Sequence, residues 1–316
     1  MQNILEIKNL SAGFNIEDNF YSAINNISLS FEKGKIHCMA GESGCGKSVF
    51  INSILKLLPK NGIIKSGEII FNNNDLAKIK EKDFNQYRGR SIFLIPQDPF
   101  MSLNPLYTIE NQMLEIASLE DEADKISKLK EALNEVRIKN IDDVLKSYPH
   151  ELSGGMKQRI IIAMALISKA ELILADEPTT ALDVSVSNSI LNLLMDLKNK
   201  GKTIILITHD LSIASNYSDT TTIMYLGKIV ECASTNELFK NPLHPYTKAL
   251  LGAIPNKNKT RLTNIKGQIP SIKEQIQGCK FHPRCDFCFE KCLNQTPILQ
   301  GNNHKVACLL KNDFVI

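Results

Sequence analysis

The chain has 316 residues, 43% hydrophobic and 22% charged, the make-up of a soluble globular protein with one large domain or two. Its formal net charge of +3 is too small to make nucleic acid the main partner on electrostatic grounds. The opening MQNILEIKNLSAGF lacks a signal-peptide pattern, and apolar runs such as IIIAMALI (160–167) fall far short of the roughly 18 residues that span a bilayer. A cytosolic setting is expected, in which the eight cysteines stay reduced.

In chain order, the first predicted element is a half-buried strand in INNISLSFEKG, where Ile27, Leu29 and Phe31 alternate with polar residues. KIHCMAG, before Gly41, is a short apolar run of the kind a buried parallel strand shows. LILAD, ending at Asp176, and TIILITHD, ending at Asp210, repeat the pattern with helical stretches between them, which is an α/β arrangement. Between Thr108 and Tyr148 the texture becomes charged and helical, predicting an inserted helical subdomain. After Glu237, prolines at 242, 245, 255 and 270 punctuate a connector, and a cysteine-rich tail begins near Gly278.

GESGCGKS, Gly41, Glu42, Ser43, Gly44, Cys45, Gly46, Lys47 and Ser48, fits G-x-x-x-x-G-K-S between a predicted strand and the helical VFINSILKLL. Glycines let the backbone curl so that its N–H groups converge on phosphate oxygens, and the helix N-terminus adds partial positive charge. Lys47 is expected to reach the β- and γ-phosphates of a nucleotide and Ser48 to ligate Mg²⁺. Asp176 and Glu177 end the later buried strand, where Asp176 can hold hydrated Mg²⁺ and Glu177 can polarise an attacking water. In LSGGMKQR, Ser153, Gly154 and Gly155 open another helical run, a second anion-binding helix start far along the chain.

The order phosphate loop, Gln97, LSGGM, DE and His209 resembles the ATP-binding subunits of ABC transporters. In that family two cassettes pair head to tail, and the signature helix of each caps the γ-phosphate held by the other. The resemblance implies a P-loop ABC ATPase cassette of α/β class: a RecA-like parallel sheet core, an antiparallel β-subdomain and an inserted helical subdomain at about 98–165. It makes Gln97, in LIPQDP, the glutamine that senses the γ-phosphate and Mg²⁺ where transmembrane subunits dock. TALD, Thr180 to Asp183, resembles the loop that crosses the dimer interface, and His209 the switch histidine. Phe14 corresponds to the aromatic that stacks on adenine, with Tyr21 as competitor. Met156 stands where many members have glutamine.

The connector NELFKNPLHPYTKALLGAIP (236–255) and the tail segments GQIPSIKEQIQGCKFHPRC and PILQGNNHKVAC resemble the oligopeptide, dipeptide and nickel importer branch. The implied organisation is a cassette at 1–255 and a C-terminal extension at 256–316. The implied activity is ATP hydrolysis powering peptide import, with nickel or a metal chelate as the alternative cargo and a non-transport ABC ATPase as the rival. Implied partners are a second related ATPase chain (a heterodimer), two transmembrane permeases and an extracytoplasmic binding protein, which puts this chain peripherally on the cytoplasmic face of the membrane. The resemblance maps Cys279, Cys285, Cys292 and Cys308 onto the ligands of a 4Fe–4S cluster. Cys288 departs from the pattern and creates a local CDFC, which keeps Zn²⁺ open as an alternative. Cys38 and Cys232 read as small buried hydrophobes, and Cys45 as a phosphate-loop variant. The tail is expected to lie outside the nucleotide fold, so that ATP binding does not depend on it.

Overall fold

The computed structural model describes residues 2–118, 124–254 and 265–312. In chain order the elements are β1 (Asn3–Ile16), β2 (Asn19–Glu32), β3 (Ile36–Ala40), α1 (Lys47–Leu55), β4 (Gly62–Phe71) and β5 (Asn74–Asp75). There follow α2 (Glu81–Phe84), β6 (Ile92–Ile95), α3 (Pro99–Ser102), α4 (Ile109–Ser118), α5 (Lys125–Glu135), α6 (Ile141–Lys146), α7 (Gly154–Ile167) and β7 (Leu172–Asp176). The last set is α8 (Val184–Asn199), β8 (Thr203–Thr208), α9 (Leu211–Tyr217), β9 (Thr220–Tyr225), β10 (Lys228–Ser234), α10 (Thr235–Lys240), α11 (Pro245–Gly252), α12 (Glu290–Asn294) and β11 (Lys305–Val306).

The chain divides into two compact units. The first comprises 1–2, 32–35 and 79–206. In it β6 and β7 pair in parallel, from Ile92 opposite Leu172 to Ile95 opposite Ala175, and β8 flanks β7. These strands are almost wholly apolar because both faces are covered. The helical insertion expected from sequence is present as α3 to α7. At its centre, α7 carries IIIAMALI with Ile160, Ile162, Ala163 and Ala165 fully buried, so it is a core helix rather than an amphipathic surface one.

The second unit comprises 3–31, 36–78 and 207–316. One sheet runs β2-β1-β4-β5, with β1 and β4 antiparallel. Glu17 and Asp18, both at positive φ (46° and 64°), turn β1 into β2, a backbone twist that suits a two-residue hairpin. Ile27 and Phe31 are buried in β2 as the alternation predicts, whereas Leu29 is only half-buried and Ile24 takes a core position. Asn26 interrupts the strict period with φ of 54°.

Elsewhere in this unit β3 pairs in parallel with β9, β9 with antiparallel β10, and β10 with antiparallel β11. The tail thus contributes a strand: Val306 lies opposite Glu231. Beneath these strands a core gathers Cys38, Ala40, Tyr225, Val230, Tyr246 and Phe281, with Cys279 and Cys285 packed against it. Burying a ring such as Phe281, 3% exposed, contributes about 1.5–3 kcal/mol.

Candidate nucleotide site and its supports

In the second unit β3 delivers the chain into the loop and α1 receives it at Lys47. Gly46 caps α1 with φ of 108°, and a Cβ there would come 2.5 Å from the Ala23 carbonyl oxygen. Only glycine tolerates both the dihedral and that approach. Ser43, Gly44 and Ser48 are exposed, as a binding surface requires. Lys47 is buried along its stem, and its Nζ donates to the Gly41 and Glu42 carbonyl oxygens at 2.8 and 3.0 Å. Cys45 is buried 3.8 Å from that Nζ. Burial pushes its thiol up despite the lysine, which keeps it protonated and inert. Cys38 behaves likewise, pushed up to about 12 by burial, while Cys232 is only half-buried and receives a bond from Thr222 Oγ1 at 3.3 Å.

Glu42 is held at every polar position. Its N–H donates to Tyr246 Oη at 3.0 Å, and its carbonyl accepts from Lys47 and from the Cys45 N–H at 3.3 Å. Its carboxylate takes a two-pronged bond from Arg284, Nη1 to Oε2 at 2.8 Å and Nη2 to Oε1 at 3.1 Å. Arg284 belongs to the tail, which corrects the expectation that the tail lies outside the nucleotide fold. The partners are 242 positions apart, so no local pattern signals the pair. His209 is exposed just beyond β8, followed by Asp210, which caps α9 by accepting from the Ser212 N–H. Phe14, opposite Gly62 in the β1–β4 register, and Tyr21 on β2 are both half-buried, so burial does not separate the two candidates for the adenine contact.

The first unit carries the other predicted residues. Asp176 ends β7 half-buried, and Glu177 follows with φ of 44°, its Oε2 accepting from Thr180 Oγ1 at 3.0 Å. Ala181 also has positive φ (63°), and Asp183 caps α8 by accepting from the Val186 N–H at 2.9 Å. Gln97 is exposed directly after β6. Ser153 caps α7, its Oγ accepting from the Met156 N–H at 3.3 Å. Gly155 has no room for more, since a Cβ would meet Val186 Cγ1 at 2.8 Å. Phe100 leans on the same turn: its ring lies under the Lys157 ammonium at 3.8 Å and would be 3.3 Å from a Cβ on Gly154.

The tail cysteines are free thiols; Cys292 is buried, Cys279, Cys285 and Cys308 half-buried, and Cys288 exposed. Burial pushes the thiols of Cys279 and Cys285 up to about 11, and the charges of the other tail cysteines push in the same direction. Among the described residues no three His, Cys, Asp or Glu side chains are arranged to hold a metal ion, so the expected metal centre does not appear as a ready ion site. Among the described residues, too, no helix is long and apolar enough to cross a membrane.

Sequence reasoning missed a second set of supports. Buried Glu231 accepts from the Leu243 and His244 N–H groups at 2.7 and 2.9 Å and meets His304 Nε2 at 2.7 Å, tying β10, the connector and the tail together. A lone Glu between apolar residues of β10 was the only available signal.

Comparison with known proteins places these features in context. The family profile described as ABC transporter matches residues 24–180, and the one described as oligopeptide/dipeptide transporter, C-terminal region, matches 230–292. A protein of Sinorhizobium fredii named "Probable peptide ABC transporter ATP-binding protein" is 39% identical over 99% of this chain and 96% of its own length. The dipeptide transport ATP-binding protein DppD of Bacillus subtilis is 38% identical over the same shares. Among solved structures, a dimeric ATP-binding cassette in a post-hydrolysis state with ADP and Pi bound is similar at a TM-score of 0.66 and 25% identity, over 73% of this chain and 98% of that one.

Proposed function

The chain belongs to the ATP-binding subunits of the ABC transporter family, and from that premise we propose that its ATP hydrolysis drives import of oligo- or dipeptides across the cytoplasmic membrane. The observation that carries the cargo is end-to-end similarity, tail included, to proteins named for peptides and dipeptides. Those names favour peptide over the nickel alternative.

Loop N–H groups between Gly41 and Ser48, other than those of Glu42 and Cys45 that bond within the protein, cradle the phosphates, Lys47 faces the β- and γ-phosphates, and Phe14 stacks on adenine. The loop fits such a group: its exposed residues lie at the N-terminus of α1, where partial positive charge gathers. Ser48, Gln97 and Asp176 would hold Mg²⁺, which when bound neutralises charge on the β- and γ-oxygens. Glu177 takes the proton of the attacking water and His209 contacts the γ-phosphate. Ser153, Gly154 and Gly155 serve the nucleotide of a second, related ATPase chain.

Docking to two permeases, served by an extracytoplasmic binding protein, puts the chain on the cytoplasmic face. The stretch after Gln97 supports this: Phe100, Met101 and Leu106 are 57%, 85% and 79% exposed, an apolar patch that an unpartnered surface rarely carries. The cassette then occupies 1–255 and the extension 256–316. In that extension Cys279, Cys285, Cys292 and Cys308 suit a 4Fe–4S cluster better than Zn²⁺, because a cluster spreads its thiolates over separate irons and needs no convergence on one ion. Their proximity is supported by the Cys279 N–H donating to the Cys292 carbonyl at 2.9 Å and by Cys279 and Cys285 packing against one core.

Uptake in cells tests the cargo. Cells whose only copy carries Lys47→Ala should stop accumulating a radiolabelled dipeptide while radiolabelled nickel uptake continues. Lost nickel uptake with intact dipeptide uptake would transfer the assignment to the metal.

A further inference from the structure

Arg284 uses all its donors. Nε bonds to the Lys266 carbonyl at 2.7 Å, Nη2 to the Gly267 carbonyl at 3.2 Å as well as to Glu42, and Nη1 to Tyr225 Oη at 3.4 Å as well as to Glu42. The guanidinium has five N–H groups in a fixed fork, and five acceptor contacts meet it. Its side chain is 4% exposed and that of Glu42 29%, so the pair is far less screened than a surface ion pair. Around it, Tyr225 of β9, Tyr246 of α11 and Phe281 of the tail stack edge to face or tilted, with centroids 4.7 to 5.2 Å apart. Two segments distant in sequence, α11 through Tyr246 and the tail through Arg284, therefore meet on one loop residue, with Tyr225 of β9 holding the arginine.

That residue sits where loop geometry is decided. The Glu42 carbonyl is one of two that hold Lys47 Nζ, and its N–H is spent on Tyr246 Oη, which anchors the start of the loop from α11. A carboxylate at the second position of the loop, left unpaired, would also repel the phosphates that Lys47 is placed to attract. A guanidinium locked on it from beneath cancels that charge and fixes the backbone on either side.

We propose that Arg284 is a positioning residue for ATP binding: it neutralises Glu42 and holds the start of the phosphate loop in its binding shape, making the tail a working part of the nucleotide site. This rests on the reading of Gly41–Ser48 as the phosphate loop. The effect runs through Glu42.

A double-mutant cycle on the full chain, read as Kd for a fluorescent ATP analogue, tests it. Arg284→Gln should raise Kd by about tenfold or more, since it leaves Glu42 charged and unpaired. Arg284→Lys should recover part of the loss, because it restores charge without the two-pronged fork. Glu42→Gln removes the repulsion, so adding it to Arg284→Gln should bring Kd back toward the value of Glu42→Gln alone. If Arg284→Gln does not fold, Arg284→Lys takes its place in the cycle with Glu42→Gln, and independent effects of those two changes on Kd overturn the proposal. A folded Arg284→Gln chain with parental Kd overturns the proposal, as do independent effects of the two changes. Lys47→Ala separates the two readings: if it also binds like the parent, the phosphate-loop assignment fails instead.

Discussion

His244 is an uncharged histidine by necessity. It is buried, its Nδ1 accepts the Tyr246 N–H at 3.0 Å, and its ring packs against Phe281. Burial pushes its pKa down from 6.5 to about 3. Below about pH 6.5 the unfolded chain takes up a proton that the folded imidazole refuses, so this contribution is complete above that value and is lost as pH falls toward about 3. His244→Asn keeps an acceptor for the α11 cap and removes the titration. Thermal melts between about pH 7 and about pH 4.5 should show a shallower loss of Tm in the variant than in the parent; equal slopes would refute the role. Glu177, the proposed general base, shows the complementary case, a strained residue. Its φ of 44° is held by the turn whose Thr180 hydroxyl grips the carboxylate, and such strain concentrates where a side chain must be aimed.

Among the elements, legibility followed range. β3, β7 and β8 were readable because buried parallel strands are short apolar runs, and α7 because Ser153 and two glycines mark a helix start. β11 was not: two residues in a Gly- and Asn-rich tail have no strand signature, and they pair only because β10 offers an edge. The Arg284–Glu42 bond was equally invisible, since a single arginine beside Cys285 looks like any charge near a thiol. The cysteines were conspicuous, yet their spacing alone left iron–sulfur and zinc both open. Anaerobically purified protein should be brown, with broad absorbance near about 400 nm from thiolate-to-iron charge transfer. Cys279→Ser, Cys285→Ser, Cys292→Ser and Cys308→Ser should each bleach it and Cys288→Ser should not. Elemental analysis returning stoichiometric zinc without iron would replace the cluster with a zinc site.

For the whole molecule, the predicted residues fall into two groups, each held by its own unit. The phosphate loop, Phe14 and His209 belong to one, and Gln97, Ser153–Gly155, Asp176 and Glu177 to the other. Chain order supplied these motifs as expectations, because each but Phe14 is a local pattern at or near a strand end or helix start. What order could not supply was the support behind them, from Tyr246 and Arg284 on the loop to Glu231 on the connector, because it comes from segments far away in sequence. The most direct measurement is accumulation of a labelled dipeptide in proteoliposomes that carry this chain with the permeases and with the proposed ATPase partner and binding protein. With ATP on the side of the ATPase chains, the parent should accumulate peptide. Glu177→Gln should bind ATP as tightly while hydrolysis and accumulation fall together by roughly 10²–10⁴-fold, the usual cost of a lost general base. Accumulation at the parental rate by Glu177→Gln, or by the parent without ATP, would contradict the account.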